Sequence, residues 1–76
     1  MKTKFFKRQS DRLISKINEL TTLEDVNEQV TKKLTRKVNR LEKLEIKIQE
    51  NNDGSITESE INDIKSCITS AKEKLN

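Results

Sequence analysis

The chain has 76 residues, 30% of them hydrophobic and 38% charged, with a net charge of +3. That is room for one domain at most, with a thin core. Histidine, tyrosine, tryptophan and proline are absent. Without histidine there is no imidazole acid–base catalysis or imidazole metal ligation, and the serines and Cys67 have no evident base to activate them, so a non-enzymatic role is expected.

Cys67 is the sole cysteine, which excludes an intrachain disulfide and fits a reducing, cytoplasmic compartment. No apolar run approaches the roughly 18 residues of a membrane span, so no membrane partner is expected. Abundant Lys, Asn and Ile with a single Ala is a habit of AT-rich bacterial and phage genomes, an association rather than a physical argument.

Residues 1–8, MKTKFFKR, form a basic N-terminal segment whose Phe5 and Phe6 are expected to cover the end of a helical bundle. From residue 9 to 50 no proline or glycine intervenes. Apolar residues from Leu13 to Ile48 recur at a mean of about 3.5 residues, the spacing of a helical stripe. The unbroken phase favours one long helix over 9–50, about 60 Å at about 1.5 Å per residue. Its N-terminal half would then expose Leu13, Ile17, Leu20, Leu23, Val26 and Val30, the candidate self-association stripe of a coiled-coil-like homo-oligomer. The alternative is a break near 21–22, where Thr21-Thr22-Leu23-Glu24 reads as a capping box, with the first segment folding back into a three-helix bundle. Asn27 falls on the heptad series of Leu13, Leu20, Leu34, Leu41 and Ile48. It would either fix register as a buried polar residue or stand exposed, with Val26 and Val30 taking its place.

The segment 51–57 is a loop. Asn51-Asn52-Asp53-Gly54 ends the preceding helix, because Asn and Gly adopt the left-handed conformation of helix termini. Thr57-Glu58-Ser59-Glu60 is a capping box, and Ile56 is the apolar residue before it. A C-terminal helix over 58–76 follows, with Ile61, Ile64, Ile68, Ala71 and Leu75 at alternating spacings of three and four. Folding the chain at Gly54 sets these opposite Ile48, Leu44, Leu41, Val38 and Leu34. The fold class expected is therefore all-α, an antiparallel helical hairpin of one long and one shorter C-terminal helix.

Residues 49–60, QENNDGSITESE, resemble the loop of an EF-hand. Asn51, Asp53, Ser55, Thr57 and Glu60 fall at the third, fifth, seventh, ninth and twelfth places, and Gly54 at the sixth. Helical segments flank the loop, as that family requires. Gln49 stands where the family has its first aspartate, so only Asp53 and Glu60 would bring charge. The resemblance implies weak calcium binding and covers this loop and its flanking turns alone. Read as a helix corner, the same residues need no cofactor.

Charge is sorted along the chain. Residues 1–20 carry a net +4, 21–31 a net −3, 32–49 a net +5 and 50–76 a net −3. In the third block Lys32, Lys33, Arg36, Lys37, Arg40, Lys43 and Lys47 share one arc beside the Leu34–Ile48 stripe. Such a face suits an acidic protein surface, or else simple solvation. Nucleic acid is the alternative, weakened by the shortage of stacking aromatics and by arginine supplying only 4 of the 16 bases. The function expected is a small helical protein-interaction module, a regulator, adaptor or assembly factor.

Overall fold

The computed structural model describes residues 2–52 and 54–75. It is all-helical, with α1 at Lys2–Thr21, α2 at Glu28–Asn51 and α3 at Glu58–Leu75. Among the described residues no helix is long and apolar enough to cross a membrane. The molecule measures 40 × 18 × 16 Å.

Three helices replace the two that the even apolar phase favoured, and the continuous helix over 9–50 is corrected. The physical reason lies in burial. A continuous helix would leave the Leu13–Val30 stripe in water. Folding α1 back onto α2 gives up a few backbone hydrogen bonds, worth about 1 kcal/mol each net. In return it takes several large apolar side chains out of water, at about 1.5–3 kcal/mol each. Ile17 is 1% exposed in the core, and Leu13, Ile14 and Leu20 pack against it.

The break is local and well capped. The Thr22 N–H donates to the Asn18 carbonyl (3.1 Å), and the Thr21 and Thr22 hydroxyls donate to the carbonyls of Asn18 (3.1 Å) and Glu19 (2.9 Å). These threonines thus satisfy the end of α1 and do not open a capping box for α2. Asn27 opens it instead: its side-chain oxygen accepts the Val30 N–H at 3.0 Å. Asn27 is exposed, as one sequence expectation held, but its role is the N-cap and not a position in a coiled-coil seam.

α1 also begins earlier than expected, so residues 2–8 are helical and not a separate segment. Its inward stripe runs Phe6, Ser10, Leu13, Ile17, Leu20. Ser10 is buried and donates its hydroxyl to the Lys7 carbonyl (2.7 Å), which removes the cost of a polar atom at that depth. Phe6 packs on the core, whereas Phe5 is 58% exposed.

Lys7 pairs with Glu60 at 2.7 Å, tying the start of α1 to the start of α3. Because α3 starts just after α2 ends, this places the start of α1 near the end of α2, so α1 runs opposite to α2. The six-residue return over 52–57 sends α3 back along α2, where Lys72 pairs with Glu42. The core joins Leu34, Val38, Leu41, Leu44 and Ile48 of α2 to Ile64, Ile68 and Ala71 of α3, with Ile61, Cys67 and Leu75 at its edge.

The α2–α3 corner is organised by Asn52. Its side-chain oxygen accepts the N–H of Gly54 (3.0 Å) and of Ile56 (3.4 Å), and its amide donates back to the Ile56 carbonyl (3.0 Å). Gly54 is the one described residue with a left-handed backbone, at φ 95°. Ile56 is fully within the core. The capping box forms as the residue order demands: the Thr57 N–H donates to the Glu60 carboxylate (3.1 Å) and the Glu60 N–H to the Thr57 hydroxyl (3.2 Å).

A candidate binding groove between the first two helices

α2 separates its charges by flank. At about 100° per residue, Lys33, Arg36, Arg40, Lys43 and Lys47 fall on the side toward α1, and Glu42 on the side toward α3. Contacts agree with that division. Glu42 pairs with Lys72 of α3, while Arg40, Lys43 and Lys47 line the groove against α1. From α1 the groove receives Gln9, Arg12 and Leu13, and Leu44 of α2 completes it. Its volume is about 450 Å³. Half-buried Leu13 and buried Leu44 make an apolar floor between cationic walls.

No carboxylate among the described residues pairs with Arg12, Arg40, Lys43 or Lys47; the ion pairs lie elsewhere, at Lys7–Glu60, Lys16–Glu19, Lys32–Glu28 and Lys72–Glu42. Four like charges therefore share one concave surface without an internal counterion, which raises the local positive potential. Of the basic face read from the sequence, Lys32, Lys33, Arg36, Arg40, Lys43 and Lys47 are exposed and Lys37 is half-buried. Arg12 and Gln9 were missed. Their signal was present in the spacing of Phe5, Gln9, Arg12 and Lys16, but it has meaning only once α1 is known to lie against α2.

The groove on the other side of α1 differs. It is lined by Lys7, Ser10, Asp11 and Ile14 of α1 with Ile56, Glu60, Asp63 and Ile64, and has about 370 Å³. Here the one cation, Lys7, is paired within the molecule, to Glu60, and Asp11 and Asp63 add further negative charge. The hydrogen bond from Lys7, then the Thr57 N–H, holds the Glu60 carboxyl below its ordinary range. The same bond to Glu60, reinforced by its charge and by Asp11, pushes Lys7 up.

Of the residues of the EF-hand resemblance, Thr57 and Glu60 form the cap of α3. Thr57 and Glu60 bond each other, and Glu60 also holds Lys7. The Asn51 amide donates to the Lys47 carbonyl at 2.9 Å. Ser55 is exposed, and Asp53 lies outside the described residues. Among the described residues no three His, Cys, Asp or Glu side chains gather as a metal cluster.

The candidate self-association stripe is divided. Ile17 is in the core, Leu13 and Leu20 pack against it, and Val30 is half-buried. Leu23 and Val26, 44% and 47% exposed, remain on the α1–α2 loop. Cys67 is half-buried, and burial pushes its thiol pKa up, away from the reactive thiolate.

Set beside protein families, curated proteins and solved structures, the chain matches none of them.

Proposed function

We propose that this chain is a small non-enzymatic interaction module, of the regulator, adaptor or assembly-factor kind, which docks an acidic protein surface on the α1–α2 groove. One observation carries the reading: Arg12, Arg40, Lys43 and Lys47 line a concave surface whose lining includes no carboxylate. Clustered like charges cost the fold self-repulsion, and a partner that neutralises them would offset that cost. The apolar floor favours a protein over a bare polyanion, since half-buried Leu13 offers a contact that phosphates do not use.

The test is a pull-down from a bacterial lysate with the wild type beside a variant carrying Arg36→Glu, Lys37→Glu, Arg40→Glu and Lys43→Glu. A stoichiometric protein lost in the variant supports the reading. A nuclease-sensitive signal in its place makes this a nucleic-acid-binding protein. A protein retained equally by both moves the docking site off this groove.

Self-association is a second proposal, supported by exposed Leu23 and Val26 beside Glu24, Asp25 and Glu28. Light scattering at high micromolar concentration tests it, and a monomer mass refutes it.

A further inference from the structure

We infer that the occupant of the α1–α2 groove is a single acidic amphipathic helix, seated along it as a fourth helix of the bundle. The inference rests on the acidic-partner reading above and specifies the shape that partner presents.

Both rims of the groove carry a helical period. On α2 Arg40, Lys43 and Lys47 line the groove, and exposed Lys33 and Arg36 continue the same row beyond it, all at spacings of three and four. On α1 Gln9 and Arg12 line the groove, and exposed Phe5 and Lys16, the latter paired with Glu19, continue their row beyond it at spacings of four. Rows of this kind run nearly parallel to their own helix axes. Lys33 to Lys47 spans about 21 Å, the length of about 14 residues of a partner helix. A helix lying antiparallel or parallel in the groove repeats with the same period. Its carboxylates then meet a cation at each turn, while an extended or irregular acidic segment falls out of step.

The floor sets the second requirement. Half-buried Leu13 supplies the apolar surface between the rims, Leu44 being only 6% exposed, so the occupant needs a narrow apolar stripe at helical spacing flanked by acids. Phe5, 58% exposed, has the spacing to extend the α1 rim at the open end, where an aromatic ring gives a helix a large apolar contact. Architecture points the same way. α3 already packs on α2 and reaches α1 through Lys7–Glu60, so the α1–α2 groove on the opposite side is the position a four-helix bundle would fill.

Fluorescence anisotropy on the full chain tests this, at about 0.15 M salt so that exposed long-range charge effects are screened. The first probe is a labelled helical peptide of roughly 18 residues with Leu at helical spacing and Glu on both flanks. The second has the same composition with Leu scattered around the helix, and the third is a single-stranded oligonucleotide. The amphipathic peptide should bind about tenfold tighter than its scattered counterpart, a difference reflecting the apolar face. Gln9→Leu, at an exposed site that leaves the core untouched, should widen that preference by tightening the amphipathic peptide alone. Arg40→Glu with Lys43→Glu should abolish it, with helicity by circular dichroism confirming that the variant is folded. Equal binding of the two peptides overturns the helix inference and leaves the acidic-partner reading standing. Binding of the oligonucleotide and neither peptide overturns both. Failure of every probe overturns the inference, as does a protein that dimerises through Arg40 and Lys43 and so fills the groove with a second copy.

Discussion

The groove between α1 and α3 holds Lys7 among Asp11, Glu60 and Asp63, whereas the groove between α1 and α2 holds Arg12, Arg40, Lys43 and Lys47 with no carboxylate. The first holds its one cation in an internal pair with Glu60, and Asp11 and Asp63 leave it net acidic. Its charges serve the fold, since Glu60 caps α3 and ties it to α1 in the same stroke. The second leaves its charges facing solvent. α3 likewise obeys the helix dipole, with Glu58 and Glu60 in its first turn and Lys72 and Lys74 in its last. α1 has no acid in its first turn and no base in its last. A helix whose charges follow local rules is stabilised by them; α1, whose end charges do not, depends more on packing.

The most severe way to break this contrast is to remove the packing. Ile17→Ala empties a core site that is 1% exposed and should cost about 2–5 kcal/mol by chemical denaturation. That is a large part of the total stability of a small domain, and α1 should lose more hydrogen-exchange protection than α3. If α3 is lost first, the tertiary dependence assigned to α1 is wrong.

A capping loss is smaller. Thr57→Ala removes the oxygen that accepts the Glu60 N–H and should cost about 1 kcal/mol in the same assay. Asn27→Ala should cost a similar amount, about 1 kcal/mol, because Asn27 caps α2. A neutral result at Asn27 would mean that the α1–α2 break does not depend on its cap.

The Lys7–Glu60 pair gives a pH signature confined to one groove. Glu60 titrates below its ordinary range when folded, so its contribution is present above that range and fades as pH falls through the folded value. Lys7 is shifted up, so its contribution is present below the ordinary lysine range and fades as pH rises through the folded value. A small plateau of stability should therefore span the neutral region and flatten in Glu60→Gln. Both groups are half-buried but still reach solvent, so the effect should be slight. An unchanged profile in Glu60→Gln would show that the pair adds nothing.

Much of the bundle was legible in the residue order, and for identifiable reasons. The α2 and α3 stripes keep strict helical spacing between clear punctuation, and Thr57 and Glu60 stand at capping distance with Ile56 before them. The α1–α2 break was less legible because Thr21 to Asn27 holds neither Gly nor Pro, and Leu23 and Val26 continue the apolar phase although both end up exposed. Phase alone does not register that burying Leu13, Ile17 and Leu20 within the chain outweighs a continuous helix. Ser10 hid the upstream part of α1, since a polar residue in the stripe reads as its end. The basic face of α2 was visible as a run of charge, but the groove was not, because its other wall comes from Arg12 in a helix whose return could not be read locally.

The most direct measurement is the thermal midpoint of Arg40→Glu against wild type at low and moderate salt, with Lys65→Glu on α3 as the control. If the groove cations are kept for a partner and not for the fold, Arg40→Glu places an acid among Arg12, Lys43 and Lys47 and relieves their repulsion. The midpoint should then rise by about 2–5 °C at low salt, corresponding to a few tenths to about 1 kcal/mol, and the gain should shrink as salt screens the charges. A fall in the midpoint would mean that Arg40 stabilises the bundle, and the groove would lose its standing as a binding face.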